Sequence, residues 1–135
     1  MTAWVLALAM LTQPAPAPLQ SIANDAISMV DAPKQAVART EQEWAALWKS
    51  HALTDPPKVD LTKHMVVAVF LGARPSAGFN VQITGVRQKN GVLIVEYQER
   101  QPARDAMTAQ MMTSPAHFAA VPRFGGDVRF QKVAP

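Results

Sequence analysis

The chain has 135 residues, 49 % of them hydrophobic and 17 % charged, which is the composition of one globular domain and too apolar for a disordered chain. Thirteen basic and ten acidic residues leave a net charge of only +3, and the basic residues are scattered singly without interleaved aromatics, so a nucleic-acid-tracking surface is not expected. Cysteine is absent, which excludes disulfides, thiolate metal sites, cysteine nucleophiles and a lipidated cysteine.

In chain order, "AWVLALAML" (3–11) is apolar but too short to span a bilayer, which takes about 20 residues. With Ala15 and Ala17 after it, the run suits a secretory leader. Residues 1–18 are therefore expected to be leader and Pro-Ala linker, 19–135 a single domain, and the protein exported, periplasmic or extracellular. The linker is expected to continue to residue 25. "AISMV" (26–30) and "KQAVAR" (34–39) are short strand candidates.

Thr40 with Glu43 three residues on forms a capping box, so a helix starts there. Trp44, Leu47, Trp48 and His51 fall at i, i+3, i+4 and i+7, one helical face. Paired tryptophans in that phase are expected to glue the helix to a sheet rather than stack on a ligand. His51 is expected to complement the helix C-terminus or to be a partly buried polar tip. Pro56 and Pro57 stop the helix from continuing.

"MVVAVFLG" (65–72) lacks alternation, as a central strand covered on both faces does. "FNVQITGV" (79–86) alternates, with Phe79, Val81 and Ile83 on one face. Between them the six residues Ala73–Gly78 read as the tip of a hairpin. Asn90-Gly91 is a type I′ turn signal, because both central residues of that turn need positive φ, and "VLIVEYQE" (92–99) returns from it. Pro115 must break a ladder or sit at an edge or bulge. "DVRFQKV" (127–133) closes the chain after Gly125-Gly126. The fold class expected is α+β: an antiparallel sheet of about five to six strands with one α-helix packed on a face.

Chemistry is sparse. Phosphate loops, dinucleotide fingerprints, nucleophile elbows and zinc-peptidase patterns are missing. His51, His64 and His117 lie far apart with no second ligand at metal spacing. Asp60 and His64 read as a turn before a strand. Met107, Met111 and Met112 read as padding, and Thr113-Ser114-Pro115 as shaping a break between strands. Nothing favours a triad built on Ser76 or Ser114. No catalytic residue, metal or cofactor is assigned. The loop remains: Arg74, Pro75, Ser76, Gly78 and Phe79 are the candidate binding residues, on a tip between two well-specified strands.

The stretches "RTEQEWAALW", "VDLTKHMVVAVFLGARPSAGFNVQITGV", "LIVEYQERQP" and "MTSPAHFAAVP", in that order from about Arg39 to Lys132, resemble the C-terminal domain family of the protease complex subunit PrcB. The resemblance implies an exported, non-enzymatic, protein-binding domain: an accessory or stabilising subunit of an extracytoplasmic protease complex. A protease is the partner it suggests, with no nucleic acid and no membrane insertion beyond the leader. The chain departs from the family where Pro75-Ser76-Ala77-Gly78-Phe79 replaces a Pro-Thr-Gly-Gly-Tyr loop and where Ala116 replaces a tyrosine. The loop is also similar, over one short motif, to the Pro-Thr-Thr-Gly-Tyr loop of chagasin-type cysteine protease inhibitors, which makes a loop-based inhibitor the alternative reading.

Overall fold

A computed structural model describes residues 18–135; of the leader and linker expected over 1–18, residues 1–17 lie outside the described residues. The elements are β1 (Gln20–Asp25), β2 (Lys34–Ala38), α1 (Glu41–His51), β3 (His64–Phe70), β4 (Asn80–Lys89), β5 (Val92–Arg100), β6 (Ala116–Pro122) and β7 (Val128–Lys132). The α+β class stands, but among the described residues the strands number seven and form two sheets rather than one. Four strands pair antiparallel in the order β1-β6-β3-β2, and three form a second sheet in the order β4-β5-β7. β7 runs parallel to β5, so the second sheet is mixed.

The helix and the second sheet cover opposite faces of the first sheet, and the residues of β3 sort themselves between the two. Val66, Ala68 and Phe70 join Trp44, Leu47, Trp48 and Phe118 in the helix-side core. Met65, Val67, Val69 and Leu71 join Val81, Ile83, Leu93 and Val95 in the core between the sheets. This is why the strand reads as an unbroken apolar run: it lines two cores at once.

Both tryptophans are core, as their spacing predicts. Trp44 and Trp48 are 2 % and 6 % exposed and pack tilted or edge-on against Phe118. Their indole N–H groups donate to the carbonyls of Pro57 and Thr54, so the proline-rich segment after the helix supplies the acceptors the buried rings require. The capping box forms with one difference. The Glu43 N–H donates to Thr40 Oγ1, but the Glu43 carboxylate reaches back to the N–H of Arg39, one residue before the cap.

Three local expectations are corrected. The stretch expected as linker contains β1, whose polar sequence pairs with β6 as an edge strand broken by a bulge between Ser21 and Ala23. Residues 26–30 form no strand and only an isolated bridge, Ile27 to Ser114. β3 and β4 are not a hairpin: they belong to different sheets, so residues 71–79 cross from one layer to the other. The Asn90-Gly91 turn forms as expected, with φ of 54° and 76° and Lys89 opposite Val92. Pro115 sits just ahead of β6, where its missing N–H costs the ladder nothing.

Candidate functional site

The crossing segment is clamped rather than free. Gly72 (φ +83°) brings the backbone so close to Pro33 that a Cβ would lie 2.8 Å from its Cδ, and Gly78 (φ +96°) does the same against Pro102 Cβ. Between these glycines, Arg74 and Thr113 exchange both backbone hydrogen bonds, at 2.7 and 2.9 Å. The Thr113 hydroxyl donates to the carbonyl of Ser76, and the N–H of Ala77 donates to Ala109. Thr113, in the break ahead of β6, thus also holds the loop, and Ser114 beside it bonds the backbone of Ser28. Pro75 and Gly78 are exposed, while Ser76 and Phe79 are half-buried.

The guanidinium of Arg74 turns inward. Its Nε and one terminal nitrogen donate in parallel to the two carboxylate oxygens of Glu99, at 2.9 and 3.1 Å, and its other terminal nitrogen donates to the carbonyls of Leu71 and Ala73. Lys132 donates to Glu99 from the far side at 3.1 Å. The Arg74 guanidinium, and after it the Lys132 ammonium, hold the Glu99 carboxyl below its ordinary range against the opposing effect of burial.

This cluster sits at the mouth of the space between the sheets. Leu93, Val95, Tyr97 and Glu99 follow one another on the inward face of β5, so the apolar core ends on a phenol and then a carboxylate. A cavity of about 400 Å³ opens there, lined from the first sheet by Lys34, Gln35, Phe70 and Leu71 and from the second by Tyr97, Glu99 and Lys132, with Arg74 between. Of the five loop residues singled out in the sequence, Arg74 lines it and Pro75, Ser76, Gly78 and Phe79 do not. A charged residue on the inward phase of an otherwise apolar strand is the sequence signal that could have found Glu99.

On the opposite edge of the sandwich the gap is closed. His117 is fully buried on β6, facing β4. Its Nδ1 accepts from the N–H of Ile83 at 2.8 Å, so Nε2 carries the proton and donates to Ser21 Oγ, also at 2.8 Å. Asn24, which lies opposite His117 in the sheet, donates to the carbonyl of Val81. Backbone groups on the outer edge of β4 are therefore satisfied by side chains of the first sheet. Burial pushes the His117 imidazole down to about 4.

A third polar cluster joins α1 to the segment after β1. His51, 1 % exposed and deeper than expected for a helix-end tip, bonds Ser28 Oγ through Nδ1 and Asp25 through Nε2, both at 2.7 Å. The set Ser–His–Asp has the residue types of a hydrolase triad but the reverse polarity, since a triad serine bonds Nε2 and its aspartate Nδ1. Ser28, however, is 5 % exposed, and its oxygen also accepts from the N–H of Val30. A substrate has no approach to that hydroxyl, and the cluster serves to fix the helix end, where Met29 N–H also donates to the His51 carbonyl. Among the described residues no three acidic or histidine side chains converge as metal ligands, and no helix is long and apolar enough to cross a membrane.

No curated protein and no solved structure matches the chain at a significant level. One family model does match: residues 65–122, from β3 through the clamped crossing and the β4–β5 hairpin to the last residue of β6, fit the family described as PrcB C-terminal, which is consistent with the chain being a PrcB C-terminal-type domain.

Proposed function

We propose that this chain is an exported, non-catalytic protein-binding domain that acts as an accessory or stabilising subunit of an extracytoplasmic protease complex. The family match carries the reading, since it suggests a domain associated with a protease complex and spans the 71–79 crossing entire. The mechanics of the crossing support it. Glycine contacts with Pro33 and Pro102 and the paired backbone bonds to Thr113 hold the loop in one shape before any partner arrives, which lowers the ordering cost of association. Pro75 at its exposed tip adds a fixed φ.

The same rigid, proline-bearing tip is what a chagasin-like inhibitor would present, and one assay separates the two. A candidate extracytoplasmic peptidase is produced with and without this chain, and both its yield and its specific activity are measured. Higher yield or longer half-life at unchanged specific activity is the expected result. Lower specific activity with rising chain concentration would assign the inhibitor role instead, and no change in either across the exported peptidases of the source cell would refute both.

A further inference from the structure

The cavity at the mouth of the sandwich has a chemistry that the loop itself does not explain. Three cations and one carboxylate line it, a net charge of +2. Arg74 is spent on Glu99 and on two carbonyls. The remaining cations and the Tyr97 phenol can donate. Lys34 makes no ion pair among the described residues, and its ammonium lies 5.9 Å from the centroid of the Phe70 ring. Lys132 gives one bond to Glu99 and is 57 % exposed, leaving further N–H groups for a ligand. Tyr97 accepts from the Gln35 amide at 3.2 Å, which leaves the phenol proton free to be donated. Beside these donors lie the apolar surfaces of Pro33, Phe70 and Leu71.

We propose that this cavity binds a carboxylate that carries an apolar group, with Lys34 and Lys132 facing the carboxylate from the two sheets and the apolar group against Phe70 and Leu71. The cavity volume is at the small end of the range of about 300–1,000 Å³ found for ligand sites, which suits a single aromatic or branched aliphatic group. A monoanion fits the charge better than phosphate does. The forked Arg74 is already occupied, and Glu99 sits in the wall, where it would repel a dianion more strongly than a monoanion. A small free acid and the carboxyl terminus of a polypeptide share this chemistry. The site stands apart from the family-based reading, and either can fail without the other.

The test is calorimetric titration of the chain with five probes: 3-phenylpropionate, 3-phenylpropanamide, N-acetyl-Gly-Gly-Phe with a free carboxylate, the same peptide as its amide, and inorganic phosphate. Both carboxylates are expected to bind, and both amides to bind at least tenfold more weakly. The peptide acid binding tenfold tighter than phenylpropionate would identify a chain terminus as the occupant, and the reverse or equality a small acid. Lys34→Gln with Lys132→Gln should weaken the carboxylates at least tenfold, whereas Lys58→Gln with Lys89→Gln, equal in charge change but outside the cavity, should not. Amides binding as well as acids, phosphate competing as well as the carboxylates, no binding of either acid at millimolar concentration, or equal losses in the two double variants would each overturn the assignment.

Discussion

The two edges of the sandwich hold their sheets together by opposite means. On one, His117 and Asn24 reach from the first sheet to backbone groups of β4, and both ring nitrogens of the buried His117 are used within the fold. On the other, Arg74, Glu99 and Lys132 meet at a mouth that stays open, and donors on Lys34, Tyr97 and Lys132 remain without an acceptor inside the fold. The neutral edge is anchored by the buried bond from Ile83 N–H to His117, which cannot be removed without orphaning a partner. The charged edge uses long side chains that water reaches. Stability should therefore be concentrated at the first and recognition at the second.

The shared core sets the scale for that comparison. Trp44→Ala or Trp48→Ala, beneath both edges, should cost about 3–5 kcal/mol in chemical denaturation, as large-to-small aromatic changes in cores do. A loss below 1 kcal/mol in both would mean the helix contributes little to holding the first sheet.

Next comes His117. Its folded value, about 4, lies below the unfolded 6.5, so between these pH values the unfolded chain binds more protons than the folded one. Stability is then complete above about pH 6.5 and falls as pH drops toward 4, by up to about 3 kcal/mol from this residue alone. Urea midpoints across that range read it out, and a flat profile would break the claim that the imidazole is held neutral.

Arg74→Ala should cost about 1–2 kcal/mol, less than breaking a fully buried pair, because Arg74 is partly exposed and Lys132 still faces Glu99. The exposed-loop reading of Arg74 would have put this change near zero, so the value separates a clamp from a free side chain. Thr40→Ala should cost about 1 kcal/mol through the lost cap. Smallest of all, Lys34→Gln with Lys132→Gln should stay within about 0.5 kcal/mol of wild type, as surface charges usually do.

What could be read from the sequence follows the range of the interactions involved. The cap at Thr40, the tryptophan face and the Asn90-Gly91 turn are set by residues within a few positions of one another, and all three form. The doubly covered β3 was readable too, because burial on both faces erases alternation. Sheet membership was not. An apolar strand, a glycine-bounded turn and an alternating strand read alike whether the turn makes a hairpin or crosses between layers; the difference lies in the pairing of β3 with β6, fifty residues on. β1 carries no clear strand signal because an edge strand with one face exposed needs little apolar sequence. At the candidate site, Arg74 was visible as a cation on a turn, but its carboxylate partner stands 25 residues away on another strand. Lys34, Tyr97 and Lys132 come together only once the two sheets are stacked.

Urea unfolding of three proteins from pH 7.5 to pH 4 tests the contrast between the edges most directly: the wild type, His117→Asn, and Lys34→Gln with Lys132→Gln. The wild type should lose up to about 3 kcal/mol over that interval, the histidine variant should start lower and lose much less, and the lysine double variant should track the wild type throughout. A histidine variant as stable and as acid-sensitive as the wild type, with a lysine variant that is clearly destabilised at neutral pH, would show that the charged mouth rather than the closed edge holds the sheets together.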